Sequence, residues 1–255
     1  AYIEQGYNII FGTTFGYIDA MAEMAEEYPD VIFLHCSGYL NNDTNFANYF
    51  GKMYQPRYLS GLAAGAMTDS NKIGYVAAFP IPEVIRGINA FAAGVNEVNP
   101  DATVEVVWTF TWFGPEAETQ AANALLETGA DVLAQHQDST ATGLAAEAAG
   151  AKWISYNTAY GKDSAPEAFV TAPVWDWGPY YVDVVESIVD GTFSTESYWG
   201  GMETGLVSLY DLSSDVPSDI ATLIGEKTDA IIDGTLEVEI VEEEFISNVI
   251  GTVNP

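Results

Sequence analysis

The chain has 255 residues, 48% hydrophobic and 13% aromatic, which suits one large domain or two smaller lobes and excludes a disordered chain. Seven Lys and Arg stand against 37 Asp and Glu, a net charge of −30, which argues against nucleic acid and anionic membrane surfaces as partners. A single cysteine, Cys36, excludes an internal disulfide framework and a multi-cysteine zinc site, and no run reaches the roughly 18 to 20 apolar residues of a membrane span.

Residues Ala1 to Tyr7 read as the last turn of a helix ended by Gly6, with no charged-then-apolar leader, so further chain is expected before them. Asn8 to Gly12 then predicts a strand, Ile18 to Tyr28 a helix and Val31 to His35 a second strand. A helix over Tyr54 to Met67 follows, with Gly61 and Gly65 four apart for close packing. The rhythm continues with strand Ile73 to Ala77, helix Pro82 to Val98, strand Thr103 to Thr109 and helix Pro115 to Thr128. Strand Val132 to Gln135, helix Thr142 to Ala149 and strand Lys152 to Tyr156 complete it. Short Val/Ile/Phe strands, each followed by an amphipathic helix, predict parallel α/β sheets. After Val174 the pattern changes to an aromatic stretch, a helix to about Val189 and a β-rich tail. The first lobe is expected from residues 1–71 plus roughly 175–200, and the second from 72–174 plus part of 201–255. The crossovers are placed near 71–73, 172–176 and in the tail.

In open parallel sheets, ligands bind beyond the carboxyl ends of the strands, so the loops there carry the chemistry. They hold Phe15, Phe79, Trp112 and Trp177 together with Asp138, Asn157 and Asp176. Aromatic faces with one or two hydrogen-bonding side chains per loop suit a flat, uncharged ring bearing heteroatoms. Catalytic patterns are thin. Adjacent strand residues His35 and Cys36 point to opposite faces, which favours a packed histidine and a buried thiol over a catalytic pair. His136 near Asp138 could form a base and its orienter, but two histidines complete no metal ligand set. "GLAAGA" lies within a helix and is no phosphate loop.

The runs "GYNIIFGTTFGYIDAM", "YPDVIFLHCSGY", "NYFGKMYQPRYLSGLAAG", "KIGYVAAFPIPEVIRGINAFAAGVNEVNP", "ADVLAQHQDS" and "WDWGPYYVDVVESIVDGTF" resemble the basic membrane protein family. These are substrate-binding lipoproteins of ABC importers, and the resemblance covers nearly the whole chain. It implies a two-lobed type I periplasmic-binding-protein fold, a ligand held in the cleft, and delivery to ABC permease subunits. It also implies a lipid-anchored, extracytoplasmic, monomeric protein without cofactor, metal or catalytic activity, and an earlier strand, helix and strand before "EQGY". Known ligands of the family are nucleosides and purine bases. Relatives that hold nucleosides tend to carry an Asp near Asn157 and a Lys near Trp175; with Trp112 added, this chain looks more like members that hold a free base.

The expectation is therefore a binding protein for a purine base (adenine or guanine type) or nucleoside. Phe15, Phe79, Trp112 and Trp177 would stack on it, and Asp138, Asn157 and Asp176 would read its edges. The alternatives are a nucleoside hydrolase or phosphorylase using Asp138 and His136, and a ligand sensor for a membrane receptor. The acidity reads either as a solvated surface or as adaptation to high salt. Repulsion between two negative lobes would favour an open form at low ionic strength, so affinity and thermal stability are both expected to rise with salt.

Overall fold

The computed structural model describes residues 1–253. In chain order the first elements are β1 (Ile9–Gly12), α1 (Ile18–Glu27), β2 (Ile32–Cys36), β3 (Phe46–Gly51) and α2 (Tyr54–Met67). Then come β4 (Lys72–Ala77), α3 (Pro82–Val98), β5 (Thr103–Trp108), α4 (Pro115–Glu127), β6 (Val132–His136) and α5 (Ala141–Ala149). β7 (Lys152–Ile154), the short α6 (Gly161–Ser164), β8 (Phe169–Thr171) and β9 (Pro173–Trp175) follow. The last part holds α7 (Gly178–Val189), β10 (Tyr198–Gly200), β11 (Val207–Leu209), α8 (Ser218–Ile232) and β12 (Val249–Ile250).

These elements fall into two compact units, each made of two chain segments. The first comprises residues 1–52 and 176–206, the second 53–175 and the chain from 207 onward. The first unit is a parallel sheet in the order β1-β2-β3-β10. Its core packs Met21 and Ala25 of α1 against Phe33 and Phe46 of the sheet. In the second unit a six-stranded parallel sheet runs β12-β5-β4-β6-β7-β8, with an antiparallel ribbon of β9 and β11. Leu125 of α4, Ala146 of α5, Val76, Leu133 and Trp153 are among its fully buried side chains. Each large apolar side chain so buried contributes about 1.5–3 kcal/mol. Trp153 keeps its one donor satisfied, giving its indole N–H to Gln135 Oε1 at 3.0 Å.

The first boundary differs from the one expected near residue 71. α2 belongs to the second unit because its glycines let it lie directly on α3. A Cβ on Gly61 would stand 2.0 Å from Phe91 O, one on Gly65 2.8 Å from Val95 O, and one on Gly94 2.0 Å from Tyr58 O. The tail is a second correction, since its longest element is the helix α8. Ile224 and Ile231 of that helix are buried while Glu226 and Asp229 between them face solvent, a helical and not a strand period.

Candidate functional site

In the second unit the neighbouring strands β5, β4, β6 and β7 deliver rings at or just past their carboxyl ends. Phe79 follows β4, Phe110 and Trp112 follow β5, His136 ends β6, and Tyr156 lies two residues past β7. The rings form one continuous run. Phe110 meets Phe79 edge-on at 6.4 Å, Phe79 meets Trp112 at 5.5 Å, Trp112 meets His136 at 6.1 Å, and His136 meets Tyr156 at 4.8 Å. Phe79, Trp112 and Tyr156 are half-buried, so each keeps some surface for a partner.

A polar frame fixes the loops that carry these rings. The Asp138 N–H donates to Trp112 O at 2.9 Å, joining the β5 and β6 loops. Glu118, fully buried in the first turns of α4, accepts from the Gly114 N–H at 3.0 Å and the Ser139 hydroxyl at 2.6 Å. Gln135 gives its amide to Gln137 O and Ser139 O at 2.8 and 2.7 Å, and the Gln137 amide reaches the Thr109 hydroxyl. Asp138 is thus held beside Trp112 with its side chain open to solvent. Burial of its inner side, then the Glu118 carboxylate, pushes its carboxyl above the ordinary range. Asn157 is half-buried, and among the described residues its buried Oδ1 has no hydrogen-bond partner.

Charge lies beneath the rings. The Arg57 guanidinium sits 5.0 Å from the centre of the Tyr156 ring and donates to the Tyr75 hydroxyl at 2.9 Å. Glu83 Oε2 stands 3.1 Å from His136 Nε2. Burial pulls the fully enclosed His136 below its ordinary range, so it is neutral at pH 7. Burial works against the Glu83 charge, but His136, Arg57 and Arg86 together outweigh it and hold that carboxyl low. The partner of His136 is therefore Glu83 in the interior, not Asp138, which corrects the base-and-orienter reading. Among the described residues, no group of three or more His, Cys, Asp or Glu could hold a metal ion.

Phe15, Asp176 and Trp177 belong to the first unit. Phe15 opens a single 3₁₀ turn after β1 and is 37% exposed. Asp176 is exposed and folds its carboxylate back onto the Gly178 N–H at 3.1 Å, a local turn at the start of α7. Trp177 is half-buried, stacked on Tyr181 at 6.1 Å and edge-on to Tyr49 at 5.3 Å. His35 is fully buried in the same unit, with Nε2 2.9 Å from Thr14 O. The four sequence-derived residues Phe79, Trp112, Asp138 and Asn157 thus share the second unit's strand ends, and the other three lie in the first unit.

Three residues just past strand ends adopt left-handed backbone: Ser37 (φ 62°), Phe110 (φ 55°) and Asn157 (φ 59°). Asn tolerates this region, whereas a bulky residue there costs about 1–2 kcal/mol. Sequence reasoning missed Phe110, Tyr156, Arg57 and Glu118. Tyr156 was taken as the last residue of a strand. Arg57 had a readable signal, the one charged residue inside the helix over Tyr54–Met67 in a chain with seven bases.

Two units of parallel strands and flanking helices, one presenting a ring-lined face at its strand ends, define a type I periplasmic-binding fold. A solved ABC transporter solute-binding protein from Conexibacter woesei shares this fold, with a TM-score of 0.74 over 94% of this chain and 81% of its own, at 23% identity. The family model described as Bmp, ABC transporter substrate-binding protein PnrA-like, matches residues 2–240, and the chain belongs to that family. A protein from Haloferax volcanii named as an ABC transporter glucose-binding protein is 44% identical over 93% of this chain. A purine-binding protein from Brucella abortus is 40% identical over 89%. The chain spans 60% and 64% of those two relatives' lengths.

Proposed function

We propose that this protein captures a purine base or purine nucleoside and presents it to the permease of an ABC importer. The observation that carries the reading is the run of rings Phe79, Trp112 and Tyr156 along neighbouring strand ends, bordered by acceptors on Asp138 and Asn157. A bicyclic purine buries more apolar area against such rings than a pyrimidine does, and its N–H groups meet acceptors that the chain leaves open. The name of the Brucella relative supports this choice. That of the Haloferax relative points to glucose, whose hydroxyls would also suit these acceptors.

Calorimetry with adenine, guanosine and glucose tests the reading. Binding of adenine or guanosine in the micromolar range or tighter is expected, weakened about tenfold or more in Trp112→Ala and in Asp138→Asn. No purine binding at millimolar concentration overturns it, and glucose binding alone replaces it with the sugar reading. Release of free base from guanosine would move the protein to the nucleoside-cleaving enzymes, a reading that the enclosure of His136 against Glu83 disfavours.

A further inference from the structure

Phe110 pairs a residue type with a position that folding does not call for. Its backbone is left-handed at φ 55°, and its ring is 54% exposed. The turn itself has a clear cause. Hydrogen bonds from the Thr109 N–H to Ala77 O and from the Phe110 N–H to Ala78 O, both 2.9 Å, carry the pairing two residues past β5. The Thr109 hydroxyl lies 3.2 Å from both Ala77 O and Thr111 O, and the Asp138 N–H holds Trp112 O on the far side. The chain must therefore reverse at residue 110 to bring Trp112 beside Asp138. That geometry calls for Gly or Asn, and the other non-glycine residues with positive φ among those described are Ser37, Asn71 and Asn157. Among the described residues, the ring contact this phenylalanine gains is an edge contact with the half-buried Phe79.

We propose that Phe110 is a ligand-gripping residue, its ring presented at the outer end of the Phe79–Trp112 run to cover a flat solute. This rests on the solute-binding reading above and extends the ring-lined face by one member. An exposed aromatic in a strained conformation fits a binding role, because burial of the ring is completed only when the solute arrives.

Phe110→Gly and Phe110→Asn separate this role from a structural one, because both relieve the backbone and remove the ring. Melting temperature is measured for each, with calorimetry against adenine, guanosine and glucose. Both variants are expected to melt at or above the wild-type temperature and to bind the solute that wild type binds about tenfold or more weakly. Phe110→Tyr, which restores a ring, is expected to restore affinity to within about threefold. A lowered melting temperature in both variants would show that the ring serves folding, and unchanged affinity would show that it grips nothing. Either result overturns the proposal. If wild type binds glucose but neither purine, the purine reading alone fails and the variants are judged with glucose. If it binds none of the three, both fall.

Discussion

His136 is neutral in the folded protein because burial holds it below its unfolded value of 6.5. As pH falls through 6.5 the unfolded chain takes up a proton that the folded chain refuses, so this residue withdraws stability on acidification. Glu83, held low, adds a second loss below its unfolded value of 4.5. His136→Asn is therefore expected to flatten the decline in melting temperature between pH 6.5 and 5; parallel profiles for variant and wild type would refute the assignment. Glu118 acts through two other groups. Glu118→Ala leaves the Gly114 N–H and the Ser139 hydroxyl without their acceptor and is expected to lose about 1–3 kcal/mol in urea unfolding. Glu118→Gln keeps the bonding shape without the charge, so the Asp138 carboxyl titration, followed by NMR, is expected to move down. At this scale the sequence yields residue types at strand ends but not their partners. The position of Asp138 and Trp112 past strand ends was legible because the strands before them are. The pairing of His136 with Glu83 was not, because it joins β6 to a helical residue 53 positions earlier.

The contact between α2 and α3 shows how a spacing of small residues becomes a packing rule. Gly61→Ala gains helix propensity of about 1 kcal/mol, yet its methyl would meet a backbone carbonyl at 2.0 Å and force the helices apart. Overpacking of this kind costs about 1–3 kcal/mol, so the variant is expected to be the less stable one. Gly225 in α8 is the control. A Cβ there meets nothing within 4 Å, and Gly225→Ala is expected to stabilise by about 0.5–1 kcal/mol in the same urea titration. Opposite signs for the two changes are the test. The Gly61/Gly65 spacing was visible in the sequence, though the identity of the partner helix was not. β3, Phe46–Gly51, escaped because five of its six residues are buried and no alternation marks it. α8 escaped because only two of its apolar positions are buried, which leaves a weak period.

For the molecule as a whole, charge repulsion and local pairing respond to salt in opposite directions. Lys52, Arg86, Lys152 and Lys227 each sit beside a carboxylate, and salt weakens such partly exposed pairs, which are worth about 0–1 kcal/mol. Against them stands a surplus of 30 acidic groups, whose repulsion is screened over about 3 Å at 1 M salt. The surplus outweighs the pairs, so the melting temperature is expected to rise from about 0.1 M to 2 M potassium chloride. A flat or falling curve would show the carboxylates to be solvation alone.

The segmented construction of the two units also sets an order of assembly. β4, β5, β6, β7 and β8 come from one uninterrupted stretch, Lys72–Thr171, and pair with near neighbours in the chain. β10 instead joins β3 with Tyr198 opposite Tyr49, so β3 waits for this neighbour until almost 150 further residues have emerged from the ribosome. Closing so long a loop is slow, and the edge of β3 stays open to wrong partners meanwhile. Pulse-labelled hydrogen exchange during refolding should therefore show protection at Tyr75 and Leu133 before Phe50 and Lys52, whose N–H reaches Gly200 O of β10. During synthesis, the half-built first sheet is the species that a chaperone would hold.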